Sequence, residues 1–480
     1  MPSAFSTKIT MTEPSSSPQR TLLFNQIWDG VSWHSPGYVT LDASGTIIAL
    51  GNEANKEIKV EHVEGIALPG MPNAHSHAFQ YAMAGAAENL PPQAKGDNFW
   101  SWRDEMYRLA LSVSPDDVET ISSMLYAEMV AVGYTHVAEF HYLHHNTDGT
   151  PYTNIAEMGE RLIRAAQKAG IRITLVPIYY QQGGFNAPAR DDQRRFLSSN
   201  RDNYYKLWEA TQQLASSYPH VSLGVGVHSL RAVPEEDVIA TLTELAPHLP
   251  RHIHVAEQLK EVDDCLAHWG KRPVEWLLDN IPLDASYHLV HATHMTPDEY
   301  QRTAKSGAHV VLCPTTEGNL GDGRFDLVQY RSFDGNWSIG TDSHIGLLPN
   351  EELRLLDYTQ RLDRHERNVL CTQGGQQSGN LAYKEALSGG QAAMGIQIDG
   401  PTLSVGQPFD AVVYDAASPR LVGVTQENLL STIVYACDSR SLLGTLTQGQ
   451  WRAKRGTHLN TEIRKEYARY KRVPYTHLDT

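Results

Sequence analysis

Run after run along the middle of this chain is apolar at first and carries His, Asp, Glu or Arg toward its end. Eight such runs stand in order: GIALPGMPNAHSHA, THVAEFHY, IRITLVPIYY, VSLGVGVHSL, RHIHVAEQ, YHLVHATH, HVVLCPTT and WSIGTDSH. Amphipathic stretches with helical spacing separate them. Two of these, 118–132 and 157–169, are each followed by a glycine placed as a helix stop, Gly133 and Gly170. Alternating strand and helix signals predict parallel βαβ units. Eight units over roughly 280 residues fit a (β/α)8 TIM barrel, whose chemistry sits at the C-terminal ends of its strands. A doubly wound sheet would need a Gly-rich phosphate fingerprint after its first strand, and the chain has none.

Outside the runs the rhythm changes. Residues 21–66 hold short β-type segments, TLLFNQIWDG, GYVTLD and TIIALG, parted by turn residues such as Asp42-Ala43-Ser44-Gly45. A similar segment, FDAVVYDAAS, returns at 409–418. The expected fold class is therefore α/β. A barrel spans 67–399, and a small β-sandwich is built from both chain ends, 21–66 and 400–480. Residues 1–20 are Ser/Pro-rich, lack the apolar core of a secretory signal and read as a disordered tail.

Composition narrows the function. The formal charge of −15 weighs against a broad nucleic-acid or anionic-membrane surface. No apolar run approaches the roughly 20 residues needed to span a bilayer. Four scattered cysteines, Cys265, Cys313, Cys371 and Cys437, suggest neither a disulfide framework nor a zinc ribbon, and point to a reducing, cytoplasmic compartment.

Side chains at i and i+2 of a strand share a face, so His75 and His77 project together. His254 in the fifth run and Asp342 near the end of the eighth extend the pair to three imidazoles and one carboxylate. That set suits one divalent ion, zinc first and Fe2+ second. No lysine in the second, third or fourth run offers a bridge to a second metal. Glu257 follows His254 at i+3, so it reaches the site only if the chain curls at the strand end. His291, in the sixth run, is a second proton-handling candidate. His228, just before Arg231, is intermediate. His136, His141, His144, His145, His288 and His294 read as rim or packing residues.

This constellation resembles the amidohydrolase superfamily, and the mononuclear pattern with HxxE is similar to its deaminase branch. The blocks MPNAHSHAFQ, FWSWRDEMYR, EFHYLHH, HSLRAV, HVAEQ, CPTTEGNLGDG and SIGTDSH resemble more narrowly the formimidoylglutamate deiminases of histidine degradation. The resemblance implies hydrolysis of N-formimino-L-glutamate to N-formyl-L-glutamate and ammonia, by metal-activated attack of water on the formimino carbon. It implies metal ligands at His75, His77, His254 and Asp342, and catalytic roles for Glu257, His291 and Asp342. It also implies substrate contacts at Gln80, Arg103, Tyr142 and Arg231 and a homodimer; His228 joins the expected substrate contacts by its place just before Arg231. Tyr81 stands where the family pattern has a basic residue, and Val227 where it has proline.

The substrate chemistry agrees with those positions. Two carboxylates in a partly dry pocket call for arginines, which can bind them bidentately. Arg103 and Arg231 are the two, although Arg103 could instead pair with Asp104 or Glu105 at the surface. A purine or pyrimidine deaminase would share the metal ligands but would read an aromatic base by stacking. A non-catalytic barrel scaffold is the rival of a different class. Segment 360–380 reads as either a lid or a surface excursion.

Overall fold

The computed structural model describes residues 20–53, 59–90, 99–397 and 399–472. The expected N-terminal tail lies, apart from Arg20, outside the described residues.

Eight parallel strands form the barrel in chain order: Met71–Ser76, Tyr134–His141, Arg172–Tyr179, Val225–Ser229, Arg251–Val255, Tyr287–His291, His309–Leu312 and Asn336–Ile339. All but His228 and the end residues Arg172 and Asn336 are buried, as expected where helices cover the outer face and side chains fill the interior. The fourth apolar run is not continuous. Gly224 divides it into Val221–Leu223 and Val225–Ser229, both paired to the third strand. A Cβ at Gly224 would lie 2.9 Å from Val176 Cγ2 and 3.1 Å from the Pro250 carbonyl oxygen, which leaves too little space for a side chain.

Closure of the barrel happens at its chemical end. Ser76 bridges Asp342, and Asp342 N–H donates to the carbonyl of His75 at 3.0 Å. The first and last strands thus meet through the residues singled out as metal ligands.

The helices follow the periodic signals. Pro115–Ala131 starts at a capping box between Ser114 and Asp117, and Glu157–Ala169 stops at Gly170 in the left-handed conformation (φ 72°). A Cβ at Gly170 would meet Arg452, so the stop also seats the terminal sheet against the barrel.

Nine strands make up the second sheet. Arg20–Trp28, Trp33–His34, Gly37–Leu41, Ile47–Gly51 and Val60–Pro69 join Ala411–Asp415, Leu442–Thr447, Gln450–Lys454 and Thr457–His458. The N-terminal and C-terminal halves pair through Val60–Pro69 and Ala411–Asp415. Phe24, Val39 and Ile47 share one core with Phe409, Val413 and Leu446. The two layers expected of a sandwich are halves of this one sheet, curled until the turn at Gly45 packs on Gln448. A Cβ on Gly45 would sit 1.8 Å from the Gln448 carbonyl oxygen. The apolar run before the HxH pair also serves both sheets. Its first half ends the strand Val60–Pro69, and the chain passes into the barrel at Gly70.

Segment 360–380 is not wholly a surface excursion. The helix Pro349–Arg364 takes its first part, Ser378 begins the helix Ser378–Ala393, and Leu370 is buried with its carbonyl held by Arg331. None of the segment lines the cavity at the barrel mouth.

Candidate active site

His75, His77, His254 and Asp342 converge at the C-terminal ends of the first, fifth and eighth barrel strands, all buried. The Nε2 atoms of His75 and His77 are 3.1 Å apart, and those of His75 and His254 3.0 Å. Asp342 Oδ1 lies 3.4 Å from His75 Nε2 and 3.2 Å from His77 Nε2. Ligands about 2.05 Å from a tetrahedral ion are about 3.3 Å from one another, so these spacings fit a single small cation.

The proton inventory leads to the same conclusion. His77 Nδ1 faces the carbonyl of Phe140 at 2.9 Å, and His254 Nδ1 that of His228 at 3.1 Å. Each Nδ1–H donates outward, so each Nε2 presents a bare lone pair to the centre. His75 has one Nε2 and could donate to only one of them. Three nitrogens and a carboxylate this close could hold a shared cation. Burial keeps the imidazoles neutral, as ligands must be: it pulls His77 down to about 3, and His75 and His254 well below the usual histidine range.

Glu257 reaches the site because the strand end does curl. Ala256 adopts a left-handed conformation (φ 50°), which turns the i+3 carboxyl inward. Glu257 Oε1 stands 3.8 Å from His291 Nε2, and Asp342 Oδ2 is also 3.8 Å from it. His291 is itself left-handed (φ 69°), as is Asp342 (φ 48°). Such backbone strain clusters at functional sites. Glu317 Oε1 takes His291 Nδ1 at 3.2 Å, leaving Nε2 to face Glu257 and Asp342. Burial raises the pKa of Glu257. Burial opposes charge on His291, but Glu257, Glu317 and Asp342 outweigh it and raise its pKa.

A cavity opens beside this centre, and all five expected substrate residues line it. Gln80 sits on the turn Ala78–Met83 just past the first strand and donates from Nε2 to the Tyr142 hydroxyl at 2.8 Å. His228 packs edge-on against Tyr180 and carries the carbonyl that orients His254. Arg103 rises from the helix Phe99–Ser112 and stacks on Trp100 (4.5 Å to the ring centre). It makes no ion pair among the described residues. Asp104 pairs instead with Arg190 and Glu105 with Arg108, so the surface pairing weighed for Arg103 does not occur. Arg231 is paired at 3.3 Å with the buried Glu261.

Several lining residues escaped the sequence reading. Phe99, Trp102, Met106 and Tyr107 lie on one helix face with Arg103, at the i, i+3, i+4, i+7, i+8 spacing that could have revealed them. Tyr180 directly follows the third strand, where barrel chemistry is expected. Phe196 carries no comparable signal. Of the histidines read as rim or packing, none lines the cavity. His288 is buried and stacked between His252 and His309, whose rings lie 4.9 and 5.0 Å away.

Residues 66–452 match the amidohydrolase family. The chain is 42% identical to formimidoylglutamate deiminase of Pseudomonas aeruginosa, over 88% of this chain and 92% of that protein. It is 26% identical to 5-methylthioadenosine/S-adenosylhomocysteine deaminase of Halobacterium salinarum, over 87% and 88%. The crystal structure of an amidohydrolase from Brucella melitensis superposes with a TM-score of 0.86 at 38% identity, covering 94% of this chain and 98% of that one. By its fold, its convergent histidines and aspartate, and these relationships, the chain belongs to the amidohydrolase family.

Proposed function

We propose that the protein hydrolyses N-formimino-L-glutamate to N-formyl-L-glutamate and ammonia, using one divalent ion held by His75, His77, His254 and Asp342. The observation that carries this reading is the pairing of that centre with a cavity holding two arginines, Arg103 and Arg231. A dicarboxylate needs two such partners, whereas a neutral base has no use for them. The identity to a formimidoylglutamate deiminase supports the same substrate. We take the ion to be zinc in preference to Fe2+, on the donor chemistry of three imidazoles and one carboxylate. A homodimer is carried by the resemblance alone, and a cytoplasmic setting by the scattered free cysteines.

The arginines bind the two substrate carboxylates, and Gln80, Tyr142 and His228 orient the chain between them. This places the formimino carbon beside Glu257 and His291. A divalent ion held by His75, His77, His254 and Asp342 would supply Lewis acidity and make water easier to ionise at neutral pH. The gap of 3.8 Å from His291 Nε2 to either carboxylate is too long for a direct hydrogen bond and leaves room for a reacting oxygen. Glu257 accepts a proton from the attacking water and returns it to the departing nitrogen, while His291, held protonated by the surrounding carboxylates, donates from Nε2 to the oxygen on which charge develops. Net, the amidine and one water become the formamide and ammonia. Tyr142 and its hydrogen-bonded Gln80 line the cavity beside His77.

Ammonia release tests this directly. Purified enzyme should release ammonia from N-formimino-L-glutamate, a chelator should abolish the release, and a panel of adenosine derivatives, guanine and cytosine should give none. Turnover of the bases without turnover of the amidine would replace this reading with the nucleobase one.

A further inference from the structure

Glu261 sits in the first turn of the helix Leu259–Trp269, four residues past Glu257, with its side chain fully buried (0% exposed). One oxygen, Oε2, does two things. It accepts the backbone N–H of Glu257 at 3.2 Å and pairs with Arg231 Nη1 at 3.3 Å. Its other oxygen is buried and finds no hydrogen-bond partner among the described residues. We propose that Glu261 is a positioning residue that ties the substrate clamp at Arg231 to the proton-transfer carboxyl at Glu257. The proposal rests on the deiminase reading.

Two features set Glu261 apart from a helix cap. A carboxylate reaching back to the N–H ahead of its own helix is a common start signal, and it normally keeps its charge in water. Here the charge is withdrawn from water and spent on a guanidinium, and desolvation makes that costly. The same oxygen also holds the turn in which Ala256 is left-handed, the turn that brings Glu257 inward. Arg231 is fixed from behind, so its remaining N–H groups are aimed at the cavity before substrate arrives. Without Glu261 a long, flexible side chain would have to be ordered by the substrate itself.

The two links separate by chemistry. Glu261→Gln keeps an oxygen for the Glu257 N–H but loses the charge that holds Arg231. Glu261→Ala loses both. The Gln variant should therefore raise KM for N-formimino-L-glutamate about tenfold with kcat within about threefold of wild type, while the Ala variant should raise KM and also lower kcat at least about tenfold. In a cycle with Arg231→Met, adding Glu261→Gln should change KM by less than about twofold, because the partner it holds is gone. A merely structural residue would lower the unfolding temperature without this split. Equal behaviour of the Gln and Ala variants, additive KM effects in the cycle, or failure of both variants to fold would each overturn the proposal. Wild-type enzyme that releases no ammonia from the amidine would instead sink the substrate reading. Glutarate, titrated calorimetrically into wild type and the same variants, would still read the hold of Glu261 on Arg231.

Discussion

His291 and Glu317 are joined through Nδ1 at 3.2 Å, and that contact decides which nitrogen of His291 faces Glu257 and Asp342. Glu317 Oε1 also accepts the N–H of Cys313 at 2.8 Å, so the carboxylate is locked from the seventh strand. Replacing it with glutamine leaves an oxygen for both donors, and kcat should stay within a few-fold of wild type. Replacing it with leucine leaves both donors unpaired and frees the imidazole to turn. Orienting partners of this kind are worth about 10- to 100-fold in activity, and kcat of Glu317→Leu should fall by that much. A Leu variant with wild-type kcat would show that the ring needs no such partner.

Glu257 and His291 should be separable from the metal ligands. Neither belongs to the four-atom cluster. Glu257→Gln and His291→Asn should each keep about one equivalent of metal while losing roughly 10²- to 10⁴-fold in kcat, the usual worth of a placed acid or base. His254→Ala should lose both. Metal content by mass spectrometry alongside ammonia release distinguishes the two classes. A Glu257→Gln enzyme with near-wild-type turnover would remove that carboxyl from the mechanism.

Half of the candidate metal cluster was legible in the sequence because the geometry of the His75–His77 pair is local. The i, i+2 spacing of His75 and His77 needs nothing but an extended strand, and His254 and Asp342 fall near the ends of later strands. Glu257 was only half legible. Its i+3 offset puts it on the wrong face of a strand, and what corrects this is a left-handed alanine that no side-chain pattern announces. Glu261 and Glu317 were not legible at all. Glutamates in helical first turns are normally exposed capping residues, and only tertiary packing buries these two. The same holds for the curled sheet, whose halves come from opposite chain ends and meet through a contact between Gly45 and Gln448.

Metal removal should weaken the fold as well as stop the reaction. The four candidate ligands come from strands one, five and eight, and the seam between the first and last strands runs through His75 and Asp342. An ion present at about a thousandfold over its dissociation constant adds about 4 kcal/mol to the folded state. Chelation should therefore lower the unfolding temperature, and added zinc should restore it. His254→Ala should show no such metal-dependent shift. An unfolding temperature indifferent to chelator would place the ion outside the seam.

Gly340 is the most demanding position on that seam. A Cβ there would lie 2.7 Å from His75 Cβ and 2.9 Å from the His75 backbone nitrogen. Neither neighbour is the free end of a flexible chain, so Gly340→Ala must push the first strand away from the eighth. Overpacking of this kind costs about 1–3 kcal/mol. The displacement also falls on a ligand, in a cluster whose spacings of 3.0–3.4 Å leave little slack. Gly340→Ala should therefore weaken zinc affinity, read by competition with a chromophoric chelator, as well as lower the unfolding temperature. Gly374→Ala is the control, since nothing lies within 4 Å of a Cβ at that position and neither readout should move. A Gly340→Ala enzyme with wild-type zinc affinity would mean that the two strands can part without disturbing His75.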